Sequence, residues 1–187
     1  MTDSQTVPSV AAPSFADRVF LTDAELRASR LNIAASAIPP RLRPGADIGV
    51  LDITEFYGDT TGGVRTYLRE KAAYVEAHPA LRHLLALPGA RDAISESDGV
   101  RVYRLRGPTV PTQTQYRFML AARSTRRIVM HERPDVIEVG SPGLVPWITR
   151  LAARGLGIPQ VAFYHSNFPR VFAPWPERGP WWRRKLH

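Results

Sequence analysis

From residue 46 onward, short apolar runs of strand length alternate with longer segments whose apolar residues recur at helical spacing. The first run, residues 48–53, has the length and composition of a buried strand. A glycine-containing turn over 54–63 follows it, and residues 64–78 then show a helical pattern that ends before Pro79. Strands that alternate with helices predict an α/β fold with a mostly parallel sheet flanked by helices.

The same alternation continues towards the end of the chain. Further strands are predicted at residues 82–87, 99–105, 135–139 and 159–164. A loop rich in proline and threonine at 107–114 precedes the longest helical pattern, residues 115–132, which carries Arg123, Arg126 and Arg127 on one face. Ser141 and Pro142 have the sequence of a helix N-cap followed by a first-turn proline, so a further helix is expected to begin there.

The two ends of the chain differ in composition from its middle. Residues 1–45 begin with a stretch rich in Ser, Thr, Ala and Pro, and we predict a disordered, partly helical extension there. Residues 46–169 are predicted to form the α/β lobe. Residues 170–187 carry large apolar groups, Trp181 and Trp182 among them, and resemble the start of a helix. We interpret this last segment as a crossover between lobes that is cut short.

Absent residues and motifs exclude several classes of protein. The chain has no cysteine, which excludes disulfide scaffolds, cysteine-based metal sites and thiol catalysis. Neither G-x-G-x-x-G nor the P-loop motif occurs, which argues against an ordinary NAD-dependent dehydrogenase or a P-loop NTPase. The formal net charge of +8 fits anionic partners such as phosphates, membrane surfaces or nucleic acid. No segment reaches the roughly 20 apolar residues of a membrane-spanning helix, and residues 1–10 lack the pattern of a signal peptide.

Three loops that follow predicted strands form the candidate site, because ligands of open parallel sheets bind beyond the carboxyl ends of the strands. Their candidate residues are Glu55, Gly62, Gly63, Ser141, His165, Ser166, Asn167 and Arg170. Gly62 and Gly63 precede a helix, so they either bring a phosphate to its free N–H groups or only form a tight turn. His165 either acts as a base or hydrogen-bond donor towards a substrate, or is structural. The histidines show no metal-ligand spacing, so no metal site is expected.

Three stretches, in this order, resemble motifs of the family 4 glycosyltransferases. Residues 52–68, DITEFYGDTTGGVRTYL, resemble the first strand, glycine loop and helix of that family. Residues 135–142, DVIEVGSP, and residues 163–170, FYHSNFPR, resemble two of its later strand ends. The resemblance covers roughly residues 46–187 and is greatest to bacterial enzymes that move mannose or another hexose onto a lipid or glycan acceptor.

The resemblance implies the GT-B architecture, in which two Rossmann-like lobes face each other across a cleft, with this chain as the N-terminal, acceptor-binding lobe. It implies a retaining transferase whose nucleotide-sugar donor is a co-substrate, with no cofactor and no metal. By their position in the motifs, Gly62 and Gly63 would approach the donor diphosphate, and His165 would be the active-site histidine near the transferred sugar. The residues expected on the acceptor side are Glu55, Ser141, Ser166, Asn167 and Arg170.

The donor-binding lobe of the family has no counterpart in these 187 residues. The chain is therefore expected to be inactive or nearly so by itself, since the charge of a leaving diphosphate would find little stabilisation. The expected partners are a nucleotide-sugar, a lipid or glycan acceptor, the missing C-terminal lobe and the inner face of the membrane as a peripheral contact, in the cytoplasm and without nucleic acid. Two alternatives stay open: a non-catalytic glycan- or lipid-binding module or truncated gene product, and a basic nucleic-acid-binding domain with steeply salt-dependent binding.

Overall fold

The computed structural model of the chain describes residues 19–20, 22, 24, 38–58, 62–111 and 113–163. The strands in this part of the chain are β1 (Ile48–Ile53), β2 (Leu81–Gly89), β3 (Ala93–Ser97), β4 (Val100–Arg106), β5 (Thr109–Val110), β6 (Gln113–Arg117), β7 (Val136–Val139) and β8 (Gln160–Ala162). The helices are α1 (Gly63–Glu76), α2 (Ala122–Glu132) and α3 (Val145–Ala152). Each segment predicted to be a strand contains a strand of the structure, namely β1, β2, β4, β7 or β8. The α/β class is therefore confirmed.

The main sheet has six strands in the order β3-β4-β2-β1-β7-β8. All neighbours in it pair in parallel except β3, which is antiparallel to β4 at one edge. Strand β1 lies inside the sheet, where its residue Asp52 is in register with Leu85 of β2 and Glu138 of β7. The mostly parallel sheet that the alternating pattern predicts is therefore confirmed, and the carboxyl ends of β1, β7 and β8 are neighbours.

Each face of the sheet has its own core. Successive residues of a strand point to opposite faces, and accordingly Leu84 and Leu85 of β2, both fully buried, belong to different hydrophobic clusters. One cluster lies under α1, which contributes Leu68, Ala72 and Val75. The other lies under α2 and α3, which contribute Ile128, Val129, Val145, Ile148 and Ala152. Helices on both faces explain why the inner strands are apolar almost throughout their length.

The segment predicted as one long helix over residues 115–132 is different in the structure. Only its second part is helical, as α2, while β5 and β6 form a two-stranded antiparallel hairpin before it. The Phe118 N–H donates to the carbonyl of Pro108 at 2.9 Å, and the Arg117 guanidinium donates to the carbonyl of Gly107 at 3.0 Å. The prediction of a helix was wrong for the first part of this segment, because these contacts fold the chain back on itself there.

Residues ahead of β1 contribute to both cores. Val19 and Phe20 are buried in the cluster under α1, and Leu42 is buried in the other. The Leu42 N–H donates to Glu132, a fully buried carboxylate at the end of α2, at 3.2 Å. Glu132 also accepts from Tyr103 at 2.5 Å and is paired with Arg101. These contacts connect Leu42 through Glu132 to β4, and the division of the chain at residue 46 stays a prediction.

Candidate functional site

The loops at the carboxyl ends of β1 and β7 are joined by hydrogen bonds. The Gly140 N–H, just after β7, donates to the carbonyl of Ile53 at the end of β1 at 2.9 Å. The Ser141 hydroxyl accepts from the Glu55 N–H at 2.7 Å and shares a 2.8 Å hydrogen bond with the Thr54 hydroxyl. The structure thus brings two of the candidate residues, Glu55 and Ser141, onto one edge of the sheet.

Ser141 does not cap a helix. Helix α3 begins at Val145, its N-cap residue is Leu144, and no side chain caps it. The buried Ser141 side chain contacts Thr54 and Glu55 instead. The prediction of an N-cap at Ser141 and Pro142 was wrong because the neighbouring loop offers the hydroxyl a partner that the local sequence does not reveal.

The Glu55 carboxyl lies among three loops at this edge. Its backbone is held by Ser141, the Met119 N–H donates to its carboxylate, and a Cβ added to Gly143 would lie 3.4 Å from its Oε1 atom. Burial raises the pKa of Glu55 above its ordinary value, although the bond from Met119 acts in the opposite direction. A partly buried carboxyl of this kind can accept hydrogen bonds from hydroxyl groups of a ligand and titrates nearer to neutral pH.

Gly62 and Gly63 form the open N-terminus of α1. Gly62 is the N-cap residue and has a φ of +128°, a conformation that only glycine adopts readily. A Cβ added at either glycine would meet no atom of the described residues within 4 Å. The first turn of α1 has no acidic residue and no side-chain cap. Among the described residues, no side chain caps its first N–H groups, and such groups suit a negatively charged group that approaches the backbone.

A network of charged side chains lies beneath this edge, between β1, β7 and α1. The Lys71 ammonium donates to Asp52 at 3.1 Å and to Glu138 at 2.9 Å. The Tyr67 hydroxyl donates to the other oxygen of Glu138 at 2.8 Å, and the ring of His83 pairs with Asp52. Asp52 and Glu138 are register partners on adjacent strands, so one lysine forms ion pairs with both carboxylates.

Burial and mutual contact set the pKa values in this network. Burial would raise the pKa of Asp52, but the hydrogen bond and charge of His83, followed by Lys71, outweigh it and hold that pKa below its ordinary value. Burial would lower the pKa of Lys71, but Asp52 and Glu138 hold it above its ordinary value. Burial and the hydrogen bond to Glu138 raise the pKa of Tyr67 to about 12. At neutral pH the lysine is charged and the tyrosine is protonated.

The network reaches the end of β8 through an aromatic pair. The ring of Tyr67 stacks on that of Phe163, with 4.8 Å between centroids and 17° between planes. The Phe163 N–H donates to the carbonyl of Val139 at 2.9 Å, which fixes the last described residue after β8. The candidate residues His165, Ser166, Asn167 and Arg170 lie outside the described residues, so their roles stay predictions.

The residues of this network were not among the candidates predicted from sequence. A signal was nevertheless present, because Asp52 and Glu138 interrupt apolar runs at the same distance from the ends of two strands. Lys71 is also one of the few lysines in a chain whose cations are almost all arginine. Two carboxylates inside buried strands require a cation nearby, and the only lysine in the intervening helix is Lys71.

The described residues hold neither a metal-binding cluster nor a membrane-spanning helix. No group of three or more histidine, aspartate or glutamate side chains among them is arranged to hold a metal ion. No helix in the same part of the chain is long and apolar enough to cross a membrane.

Comparison with known proteins identifies the family. The model of the family described as Glycosyltransferase Family 4 matches residues 61–187, and the chain therefore belongs to this glycosyltransferase family. A GDP-mannose-dependent alpha-mannosyltransferase from Mycobacterium tuberculosis (strain CDC 1551 / Oshkosh) is 33% identical over 105 residues, which is 54% of this chain and 28% of that protein. The chain thus spans about a quarter of the length of this relative. No solved structure matches.

Proposed function

We propose that this chain is the acceptor-side lobe of a GT-B enzyme that transfers a hexose from a nucleotide-sugar to a lipid or glycan acceptor with retention of configuration. The observation that carries the proposal is the junction of the β1 and β7 loops beside the open N-terminus of α1. The Glu55 N–H donates a hydrogen bond to the Ser141 hydroxyl there, and Gly62 and Gly63 lie at the start of α1. Membership of glycosyltransferase family 4 supports sugar transfer as the reaction at this edge.

The donor we propose to test first is GDP-mannose. The name of the mycobacterial relative supports this choice. In the reaction, the bond between the sugar C1 and the phosphate oxygen breaks and a bond from C1 to the oxygen of an acceptor hydroxyl forms. The nucleoside diphosphate leaves with its negative charge, and the proton of the acceptor hydroxyl passes to a phosphate oxygen of this leaving group. The N–H groups at the start of α1 are suited to the diphosphate of the donor. His165 is the residue we place beside the transferred sugar.

The acceptor is proposed to bind on the side of Glu55 and Ser141, with Ser166, Asn167 and Arg170 completing that side. The partly buried Glu55 carboxylate would accept a hydrogen bond from an acceptor hydroxyl. Ser141 would act only by holding the Glu55 backbone, since its hydroxyl is already bonded to Thr54 and to Glu55. A cytoplasmic location is part of the same proposal.

Positive charge on a donor-binding lobe is needed to stabilise the leaving diphosphate. We therefore propose that residues 1–187 alone transfer sugar slowly or not at all, and that they act together with such a lobe. This chain continued by the donor-binding lobe of a family 4 enzyme is called the joined protein.

The experiment that tests the proposed function is a donor screen on the joined protein. Radiolabelled GDP-mannose, GDP-glucose, UDP-glucose and UDP-galactose are each incubated with it and with a mixture of lipid and oligosaccharide acceptors. We expect label in the acceptor fraction with GDP-mannose and a retained anomeric configuration in the product. Transfer from none of the donors by a folded joined protein that binds a nucleotide-sugar would contradict the proposal. Acceptor binding without any transfer would favour a non-catalytic binding module instead.

A further inference from the structure

Helices α2 and α3 lie side by side on one face of the sheet and present a common outer surface. Their buried residues enter the same hydrophobic cluster. The Arg126 guanidinium, on α2, donates to the carbonyl of Ala152 at the end of α3 at 3.0 Å. This bond fixes one helix against the other, and the exposed side chains of both form what we call the α2–α3 surface.

Part of the α2–α3 surface is apolar. Leu144, Trp147 and Leu151 follow one another at helical spacing along α3, and their exposed fractions are 49%, 67% and 58%. Met130 of α2 is 47% exposed. Single exposed apolar residues are common, but an exposed tryptophan and two leucines in one stripe are a sign of an interaction surface.

Exposed arginines lie on the same two helices as this apolar stripe. Arg123 and Arg127 are exposed on α2, and Arg150 and Arg154 are exposed on and just after α3. Within the described part of the chain, these four form no salt bridge. Arg150 also lines a cavity of about 580 Å³ with Trp147 and Gln160 beside the stripe.

Acidic residues are missing from the same surface. The only acidic residue of α2 is Glu132, which is fully buried. No aspartate or glutamate occurs between Glu138 and Glu177. Helix α1, on the opposite face, differs in that its sequence includes Glu70 and Glu76 beside its arginines. Among the residues that the structure describes, the α2–α3 surface therefore has a single sign of charge.

We propose that the α2–α3 surface docks on an anionic lipid bilayer. An apolar stripe with tryptophan at its centre and arginines on the same helices can insert its apolar side chains at the level of the headgroups while the guanidinium groups contact phosphates. A second copy of the chain fits poorly, because like surfaces would bring arginines together without acidic partners. This inference concerns membrane attachment and is independent of the sugar that the proposed enzyme transfers.

The test is sedimentation of the full chain with lipid vesicles. Vesicles containing phosphatidylglycerol are compared with vesicles of phosphatidylcholine alone, at low and at high salt. We expect binding to the anionic vesicles only, and weaker binding at high salt. Arg127→Gln should weaken binding about fivefold, and Trp147→Gln should weaken it at least about tenfold, since it removes a large side chain from the apolar contact.

Matched controls come from outside the surface. Arg106→Gln removes one exposed arginine at the end of β4, and Tyr74→Gln removes a 58% exposed aromatic from α1. Both should bind vesicles as the unchanged chain does. Circular dichroism melts of Trp147→Gln and Tyr74→Gln should coincide with that of the unchanged chain within a few degrees.

Three results would overturn the inference. The first is no binding to anionic vesicles. The second is vesicle binding that Trp147→Gln and Arg127→Gln leave unchanged, because another part of the chain would then make the contact. The third is a loss of thermal stability or of a dimer in Trp147→Gln, which would show that the protein itself or a second copy covers the stripe. Sugar transfer by the joined protein in detergent, without vesicles, tests the proposed function separately.

Discussion

The Tyr67 hydroxyl donates to Glu138 while its ring stacks on Phe163, at 2.8 Å and 4.8 Å respectively. One side chain thus connects the first turns of α1, the end of β7 and the end of β8. Helix α1 begins at the glycines proposed to meet the donor diphosphate, and β8 leads to His165. Tyr67 therefore links the start of α1 to the end of β8.

Two substitutions of Tyr67 should separate what its hydrogen bond and its ring stacking each contribute to stability. Tyr67→Phe keeps the ring but removes the hydrogen bond to Glu138, and we expect a loss of about 1 kcal/mol in the free energy of unfolding. Tyr67→Leu also removes the stacking on Phe163, which should cost a further ~0.5–1.5 kcal/mol. Urea denaturation measures both. Equal stability of the two variants would show that the aromatic pair contributes nothing.

Gly63→Ala tests the approach of a phosphate to the backbone at the start of α1. A Cβ there meets no atom of the described part of the chain within 4 Å, so the fold should be unchanged or more stable by up to about 1 kcal/mol. If the donor diphosphate approaches Gly63 closely, the added methyl group should raise the KM for the donor about 10- to 100-fold. Steady-state kinetics of the joined protein at varied donor concentration measure this.

The matched control for Gly63→Ala is Gly45→Ala. Gly45 also offers an added Cβ open space within 4 Å, and it lies before β1, at the opposite end of that strand from the candidate site. Its substitution should leave the donor KM unchanged. The same KM for both variants would remove the reason for placing the diphosphate at the start of α1.

Asp52 should make the protein sensitive to acid. Its pKa in the folded state lies below the ordinary value, so its ionised form stabilises the fold above the unfolded pKa of about 3.9. This contribution is lost as the pH falls through the lower, folded pKa. Asp52→Asn should therefore be less stable than the unchanged chain at pH 7, and the difference should shrink below about pH 4. Denaturation curves between pH 2 and pH 7 measure it, and a constant difference over that range would be the contrary result.

The Ser141 hydroxyl should matter for stability as well as for the site. Ser141→Ala removes hydrogen bonds to Thr54 and Glu55 in a buried position, which should lower the free energy of unfolding by about 1–3 kcal/mol. Ser97→Ala is the control, because the hydrogen bond of that hydroxyl to the neighbouring Asp98 is exposed, and its effect should stay within about 0.5 kcal/mol. Thermal denaturation of both variants measures the contrast. Equal effects would show that the junction of the β1 and β7 loops is weak.

The parallel core of the fold could be predicted from sequence because inner strands covered on both faces must be apolar on both. The runs at 48–53 and 135–139 meet that condition. Strands β3, β5 and β6 do not meet that condition. Strand β3 lies at an edge of the main sheet, β5 and β6 pair with each other in a separate hairpin, and β6 is largely exposed. Their sequences lack a core pattern, and their pairing partners decide their conformation.

For the candidate site, the sequence could predict only which edge of the sheet carries it. Parallel strands must end at the same side of the sheet, which places Glu55 and Ser141 together. The bond between the Ser141 and Thr54 hydroxyls joins residues 87 positions apart, and no local pattern shows such a contact. The same holds for Lys71, whose two carboxylate partners lie on separate strands.

The most direct test of the account is the rate of mannose transfer by the joined protein with His165→Ala beside His78→Ala. His78 is a control because its ring stacks on Tyr74 near the end of α1, away from the candidate residues. We predict transfer from GDP-mannose by the unchanged joined protein, a loss of at least about 100-fold in kcat for His165→Ala, and a rate within about twofold for His78→Ala. Equal rates for His165→Ala and the unchanged protein would contradict a sugar-transfer site at the end of β8.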